Sequence, residues 1–129
     1  MCFMIYTSID VRRIKRDFSI HHIGYSLDDR WEGSFLGPQK TSKIPVIYND
    51  QGDFALDEMF WSLCPNWSKE FPCKWSTYNA RMISEKKDKL TGEQKKQTVY
   101  QTPSFKHAFQ NKQFCLVPLT HAVESCYWG

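Results

Sequence analysis

The apolar residues of this 129-residue chain occur in short runs that are separated by turn-forming or polar segments. None of these runs approaches the ~18 residues that identify a membrane-spanning helix, and the N-terminal residues lack the pattern of a secretory signal. Hydrophobic residues still make up 41% of the chain and aromatic residues 16%, which is enough for a packed core. We therefore expect one domain over residues 1–129, located in the cytoplasm (at the nucleoid if the source is bacterial) and without a membrane partner.

The apolar runs have the length and boundaries of β-strands. The sequence Asn49-Asp50-Gln51-Gly52 predicts a turn between two of them, and Pro118 separates two others. Strands are predicted at residues 1–6, 44–48, 54–63, 114–117 and 122–127.

Two segments are predicted to be helical. Asp10 can cap a helix over residues 11–18, whose apolar residues share one face while the basic residues share the other. Thr102 is the predicted N-cap of a second helix, with Pro103 at its first position. Because these strands and helices do not alternate in a regular βαβ pattern, the predicted fold class is α+β.

Residues 85–97 are almost wholly polar and include Gly92, which predicts an exposed, mobile insertion. Its lysines form one of two basic clusters; the other lies at residues 12–16. The net charge of +3 and the pI near 8.6 permit a polyanionic partner without requiring one. Whether the lysines touch DNA or only keep the segment solvated is left open by the sequence.

Cys2 directly follows the initiator Met1. Methionine aminopeptidase usually removes Met1 before a small residue, and the new N-terminus would carry an α-amine and a thiol on one residue. The amine condenses with an aldehyde, and the thiolate then closes onto the imine carbon to give a stable ring. The α-amine titrates near ~7.7–8.0 and the thiol near ~8.5, so both groups are partly reactive at neutral pH.

The cysteines are odd in number and scattered, and none forms a Cys-x-x-Cys pair. This spacing makes a zinc site improbable and is typical of reduced thiols in a reducing compartment. We expect no metal and no cofactor. The five cysteines are Cys2, Cys64, Cys73, Cys115 and Cys126.

Three further elements carry groups suited to chemistry or to DNA binding. Asn79 offers both a donor and an acceptor, and Arg81 offers a planar fork for a phosphate. Asn66 and Trp67 lie in an aromatic loop that follows a predicted strand. Glu124 lies among apolar neighbours, where burial would raise its pKa and suit it to acid–base work; the alternative is a strand glutamate that faces solvent.

Together with the N-terminal Met-Cys, these elements resemble the SRAP family (SOS response-associated peptidase), the abasic-site processing proteins that crosslink to DNA. The resemblance extends along most of the chain and depends on the order of the motifs. The matching segments are Met1-Cys2, residues 60–67 (FWSLCPNW), Asn79-Ala80-Arg81, Pro103-Ser104-Phe105, Cys115-Leu116-Val117-Pro118 and Glu124.

The resemblance implies a function and a set of site residues. Cys2 would capture the aldehyde of an abasic site in single-stranded DNA as a thiazolidine, Asn79 would position Cys2 and the opened sugar, and Glu124 would shuttle protons. The implied fold has mostly antiparallel strands curled into a barrel-like sheet with helices outside. The DNA contacts that it implies are made by Arg81, Trp67, Pro38 and Asn66.

Some positions depart from the family pattern and leave alternatives open. Met4 stands where the family has a phosphate-binding arginine, and Ser125 follows Glu124 in place of a tryptophan. Family members also continue into a C-terminal half with an active-site histidine, for which His121 is a poor substitute. We therefore expect a domain that is incomplete at its C-terminus, with an exposed edge and an apolar face near residues 114–127 that a second chain completes.

Two other functions are compatible with these residues. The first is a single-stranded DNA-binding module without catalytic activity, which would bind in a salt-sensitive way and without dependence on Cys2. The second is an N-terminal-nucleophile peptidase that cleaves its own leader.

Overall fold

The computed structural model of the chain describes residues 2–36, 42–71, 73 and 82–124. At five of these positions it describes the main chain only: Cys2, Phe3, Phe35, Leu36 and Glu124. The described elements, in chain order, are β1 (Cys2–Asp10), α1 (Val11–Asp17), β2 (Ile20–Ile23), β3 (Arg30–Leu36), β4 (Lys43–Asp50), β5 (Asp53–Phe60), β6 (Ile83–Lys87), β7 (Gln94–Thr98), a 3₁₀ turn (Val99–Gln101), α2 (Pro103–Gln110), β8 (Cys115–Leu116) and β9 (His121–Glu124). The predicted α+β class is confirmed.

The strands of the described ranges form three open sheets. In the first, β1 lies between β3 and β9 and is antiparallel to both. The second has the order β2-β5-β4-β8, with a parallel β2–β5 pair and antiparallel pairs elsewhere, and β6 pairs with β7 in the third. The strands are mostly antiparallel, as predicted. The expected barrel-like sheet is wrong for the described strands, because β3 and β9 each pair on one side only and the sheets stay open.

Contacts divide the chain into two compact units. The first unit comprises Met1–Trp61 and Phe114–Gly129, and it contains the two larger sheets and α1. The second unit, Ser62–Gln113, contains the β6–β7 sheet, the 3₁₀ turn and α2. The expectation of a single domain stays a prediction.

β1 alternates between a buried and a more exposed face. Ile5, Thr7 and Ile9 are 2%, 0% and 7% exposed, whereas Ser8 and Asp10 point to the exposed side. The strand ends at Asp10, whose carboxylate accepts a hydrogen bond from the main-chain N–H of the third residue of α1 at 3.0 Å. This bond satisfies one of the free N–H groups at the start of α1, and the predicted N-cap is confirmed.

The core of the first unit lies between its two larger sheets. In one cluster Ile5 of β1 packs with Ile44 and Val46 of β4. Trp31 contacts this cluster and a second one, and its indole N–H donates to the Glu58 carboxylate at 2.7 Å. The second cluster draws on both sheets and on α1: Ile9, Val11, Ile20, Leu27, Ile47 and Leu56. The opposite face of the first sheet therefore lies away from this core.

A two-residue turn joins β4 to β5. Gln51 and Gly52 have φ values of +53° and +108°, and the Asn49 side-chain oxygen accepts the Gly52 N–H at 3.1 Å. Positive φ at both central positions matches the twist of a two-residue hairpin, and glycine adopts it without a steric penalty. The predicted turn is confirmed.

The second unit contains a hairpin that the sequence pattern does not predict. β6 and β7 pair from Ile83↔Thr98 to Lys87↔Gln94, so two paired strands lie within the segment that we expect to be an exposed, mobile insertion. Its mobility stays a prediction. Asp88 organises the turn: its carboxylate accepts the N–H groups of Leu90 and Thr91 at 2.9 and 3.2 Å. Hydrogen bonding at the turn, rather than an apolar alternation, fixes this hairpin. Its side chains are mostly exposed, as predicted.

α2 begins at Pro103, as predicted, but the Thr102 hydroxyl donates to the Thr98 carbonyl at 3.1 Å instead of capping the helix. None of the residues of this fully described helix is buried. Within the described ranges, no helix has the length and apolar character needed to span a lipid bilayer.

Candidate functional site

Two of the predicted catalytic residues occupy opposite positions in the first sheet. β1 and β9 run antiparallel, and their Cα register pairs Cys2 with Glu124 and Met4 with Val123. Directly opposite residues are the nearest cross-strand neighbours that a sheet provides. The fold thus brings together the predicted nucleophile and the predicted proton-transfer residue.

A bulge interrupts the β1–β9 ladder beside this pair. Met4 lies two residues from Cys2 along β1, whereas its partner Val123 lies one residue from Glu124 along β9. Phe3 is therefore an extra residue on β1. Bulges bend a strand and increase its local twist, and they are frequent next to active sites, where they change the direction of a side chain.

Hydrogen bonds just before β9 set the register in which this strand meets β1. The Thr7 hydroxyl, which is completely buried, donates to the Pro118 carbonyl at 3.1 Å. The Thr120 hydroxyl oxygen accepts the Ser8 N–H at 3.0 Å, and the same hydroxyl donates to the Ser8 carbonyl at 3.3 Å. A slip of one residue would break these bonds, so they hold the end of β9 opposite the start of β1.

A polar cluster lies on the face of the first sheet that is turned away from the core. The Tyr6 hydroxyl donates to the Glu32 carboxylate at 2.6 Å, and this hydrogen bond raises the pKa of the Tyr6 phenol above its usual value. The His121 ring is 6.0 Å from the Tyr6 ring, centroid to centroid. No motif marks Tyr6 or Glu32 in the sequence, because the two residues are 26 positions apart and meet only through the β1–β3 ladder.

Asn66 and Trp67, two predicted DNA contacts, are exposed neighbours in a loop of the second unit. The Trp67 side chain is 48% exposed, and its indole N–H donates to the Pro103 carbonyl at the start of α2, at 3.3 Å. An exposed ring and an amide in one loop suit stacking on, and hydrogen bonding to, an unpaired base. The loop and α2 also form a pocket of about 190 Å³, lined by Leu63, Cys64, Pro65, Asn66, Ser104, His107, Ala108 and Gln113.

Three predicted site residues, Pro38, Asn79 and Arg81, lie outside the described residues, as does Met1. Their roles stay predictions. Of the predicted site residues that the structure describes, it places Cys2 and Glu124 in one ladder.

Several large apolar side chains are exposed near the end of the described chain. Within the described ranges β9 pairs only with β1, which leaves its other edge without a strand. The exposed fractions are 59% for Phe114, 57% for Leu116, 44% for Leu119 and 46% for Val123. A second chain covering this region stays a prediction.

The described part of the chain contains no group of three or more His, Cys, Asp or Glu residues that could hold a metal ion. Cys64, Cys73 and Cys115, the cysteines whose side chains are described, are not in disulfides. Thiol chemistry in this part of the chain is therefore that of reduced cysteine.

Comparison of the chain with protein-family models, with curated proteins and with solved structures finds no match. The resemblance to the SRAP family accordingly stays a prediction from the motifs, and the β1–β9 register is the structural observation that bears on it.

Proposed function

We propose that this chain senses abasic sites in single-stranded DNA in the manner of the SRAP family and captures them as a covalent crosslink through Cys2. The observation that carries the proposal is the register that makes Cys2 and Glu124 cross-strand partners. The two residues come from motifs at opposite ends of the described sequence, and the proposed chemistry requires a nucleophile and a proton-transfer group in one place.

The reaction needs no oxidant, reductant or cofactor. After Met1 is removed, the α-amine of Cys2 attacks C1′ of the ring-opened sugar, and loss of one water gives an imine. The Cys2 sulfur then adds to the imine carbon, and the proton that the thiol releases is balanced by the proton that the nitrogen gains. The product is a thiazolidine that joins the protein to the DNA.

Glu124 supports this chemistry as the proton-transfer group. Opening of the sugar ring and departure of water both require a proton to move, and a carboxyl group beside the reacting carbon can supply and accept it. The bulge at Phe3 adjusts the strand immediately next to Cys2. Asn79 positions the opened sugar, and Arg81 binds a backbone phosphate.

The resemblance to the SRAP family implies further contacts with the DNA. Trp67 and Asn66 contact the DNA beside the lesion, and Pro38 is a further contact. An abasic nucleotide has no base stacking to give up, so its C1′ is reached at lower cost than that of an intact nucleotide.

The test is the intact mass of the full chain beginning at Cys2 after incubation with single-stranded DNA that carries one abasic site. We expect a protein-plus-DNA mass that Cys2→Ala abolishes. Glu124→Gln keeps the size of the side chain and should slow adduct formation by about 10²–10⁴-fold. Asp28→Asn, at an exposed position between β2 and β3, is the matched control and should leave the rate unchanged.

Two results would contradict the proposal. One is the absence of an adduct from a preparation whose N-terminus is confirmed as Cys2. The other is an adduct of equal yield from Cys2→Ala or from protein that retains Met1, since neither has the N-terminal aminothiol.

A binding-only function is the second candidate, and Met4 favours it. This half-buried residue lies in β1 opposite Val123 and carries no charge where the resembling family has a phosphate-binding arginine. A binding-only protein would hold intact and abasic single strands equally well, with no adduct and no change in affinity on Cys2→Ala.

A further inference from the structure

The β6–β7 hairpin concentrates positive charge around a concave surface of the second unit. We name the segment over residues 83–98 the lysine hairpin. The concavity has a volume of about 580 Å³ and is lined by Lys86, Lys87, Asp88, Lys89, Leu90, Lys95, Lys96, Gln97 and Gln101.

Three of the five lysines have no carboxylate partner among the described residues. Lys95 is paired with Asp88 at 2.8 Å, and Lys96 approaches Glu85 at 3.9 Å. Within the described ranges no carboxylate lies within 4.0 Å of the amines of the other three, Lys86, Lys87 and Lys89. The hairpin therefore retains ammonium groups that are available to an anionic ligand.

The register of the hairpin places one pair of like charges opposite each other, next to the oppositely charged pair Glu85↔Lys96. Lys86 is the direct cross-strand partner of Lys95, an arrangement that destabilises a sheet. An isolated two-stranded hairpin is only marginally stable in water. Asp88 offsets part of the charge of Lys95, but Lys86 opposite it has no carboxylate partner among the described residues. The hairpin therefore keeps a positive charge that its own described contacts do not neutralise, and a bound anion would neutralise it.

The end of β7 and the chain just after it add groups that suit a single strand of nucleic acid. The Gln97 amide donates to the Gln101 carbonyl at 3.2 Å, and both residues line the concavity. Tyr100, next to Gln101 in the 3₁₀ turn, is 47% exposed, and its ring is supported by Phe109 at 5.8 Å between centroids. An exposed aromatic ring one residue from Gln101, which lines the concavity, offers stacking in addition to the charge of the lysines.

We infer that the lysine hairpin binds the phosphate backbone of single-stranded DNA through Lys86, Lys87 and Lys89, with Tyr100 available to a base. This inference rests on the proposed function and extends it, since it assigns the affinity for DNA to an element separate from the Cys2–Glu124 pair. An acidic polypeptide would satisfy the lysines but would not use an exposed aromatic ring as a stacking surface.

The test measures the binding of the full chain to fluorescein-labelled oligo(dT) by anisotropy across a range of salt concentrations. Neutralising all three lysines (Lys86→Gln, Lys87→Gln and Lys89→Gln) should make the slope of log K against log salt less negative by about 2, or about 0.7 for each phosphate that the variant no longer neutralises. At 0.15 M salt the affinity should fall about tenfold or more.

The matched control removes the same charge from α1, with the exposed residues Arg13→Gln, Lys15→Gln and Arg16→Gln. We expect its slope to equal that of the unsubstituted chain. An equal loss of slope in both triple variants would overturn the inference, because the effect would then follow net charge alone. Replacement of the three hairpin lysines by arginine should preserve the slope.

Two further measurements test the inference, one with a milder variant and one with a competing polyanion. If the triple variant does not fold, Lys89→Gln alone, at the turn, is measured instead and should make the slope less negative by about 0.7. Polyglutamate of matched charge should compete poorly with oligo(dT); equal competition would overturn the inference in favour of an acidic protein ligand.

Failure of this inference can be distinguished from failure of the proposed function. Cys2→Ala should abolish the covalent adduct and leave the salt slope intact, whereas the hairpin triple variant should still form adduct at saturating DNA. A slope effect without any adduct would support the hairpin and contradict the crosslinking proposal. If the triple variant formed the adduct with the same dependence on DNA concentration as the unsubstituted chain, the crosslinking proposal would be supported and the role of the hairpin contradicted.

Discussion

Each of the two units of the chain is stabilised by a different kind of interaction. In the first unit, buried aliphatic side chains of both larger sheets form the core, and Leu56 and Ile44 are 0% and 1% exposed. In the second unit the buried residues within the described ranges are Pro65, Cys73 and Val99. Its hairpin depends instead on hydrogen bonds at a turn.

This difference separates a unit that is stabilised mainly by apolar burial from a unit whose described side chains are mostly exposed. Apolar side chains carry no charge to titrate or to screen, whereas exposed ion pairs respond to pH and to ionic strength. We therefore expect the first unit to keep the Cys2–Glu124 register at values of pH and ionic strength that weaken the ion pairs of the lysine hairpin.

The largest expected effect is on the core of the first unit. Leu56→Ala removes a fully buried side chain and should lower the free energy of unfolding by about 2–5 kcal/mol. Leu90→Ala in the turn of the lysine hairpin is the matched control, because Leu90 is 97% exposed, and it should change stability little. Urea denaturation followed by tryptophan fluorescence measures both, and similar losses would contradict the difference between the units.

A smaller effect is expected where the first unit uses a hydrogen bond instead of apolar contact. Thr7→Val removes the buried hydroxyl that donates to Pro118 and should cost about 1–3 kcal/mol, because the carbonyl loses its donor. Thr7→Ser retains the hydroxyl and serves as the control. If Thr7→Ser proved as destabilising as Thr7→Val in urea denaturation, packing of the methyl group and not the hydrogen bond would hold β1 to the segment before β9.

The smallest effect concerns the turn of the lysine hairpin. The hydrogen bond from Lys95, followed by those from the main chain at Leu90 and Thr91, lowers the pKa of Asp88 below its usual value of 3.8. A lowered pKa in the folded state means that the contribution to stability is present above the unfolded pKa and is lost as the pH falls through the folded pKa. Acid should thus loosen this turn while the core of the first unit stays intact.

Amide chemical shifts of Leu90 and Thr91 measured by NMR between neutral pH and pH 2 would follow this titration. Asp88→Asn should remove the step, and Glu93→Gln should retain it. An unchanged titration in Asp88→Asn would show that another group controls the turn.

Local signals account for the parts of the fold that the sequence predicts. The Asp10 cap, the Asn49–Gly52 turn and the start of α2 each depend on residues within a few positions of one another. β6 and β7 could not be predicted in this way, since a run of lysines and glutamates has no apolar alternation. Their pairing follows from how Asp88 organises the turn.

The same distinction between local signals and long-range contacts applies to the candidate site. Motifs identify Cys2 and Glu124 as candidates, but their pairing depends on hydrogen bonds between residues 111 and 112 positions apart, which no local pattern encodes. Tyr6 and Glu32 carry no motif, so their contact is visible only in the structure.

The pairing of β1 with β9 has a consequence for the order of events during synthesis. The hydrogen bonds that dock the segment before β9 onto β1 span 111 and 112 positions, so at ~5–20 residues per second the ribosome needs roughly 5–20 s to add that length of chain. Throughout this interval one side of the N-terminal strand has no neighbour. The removal of Met1 that the proposed function requires therefore has this interval in which to take place, before Cys2 is paired with Glu124.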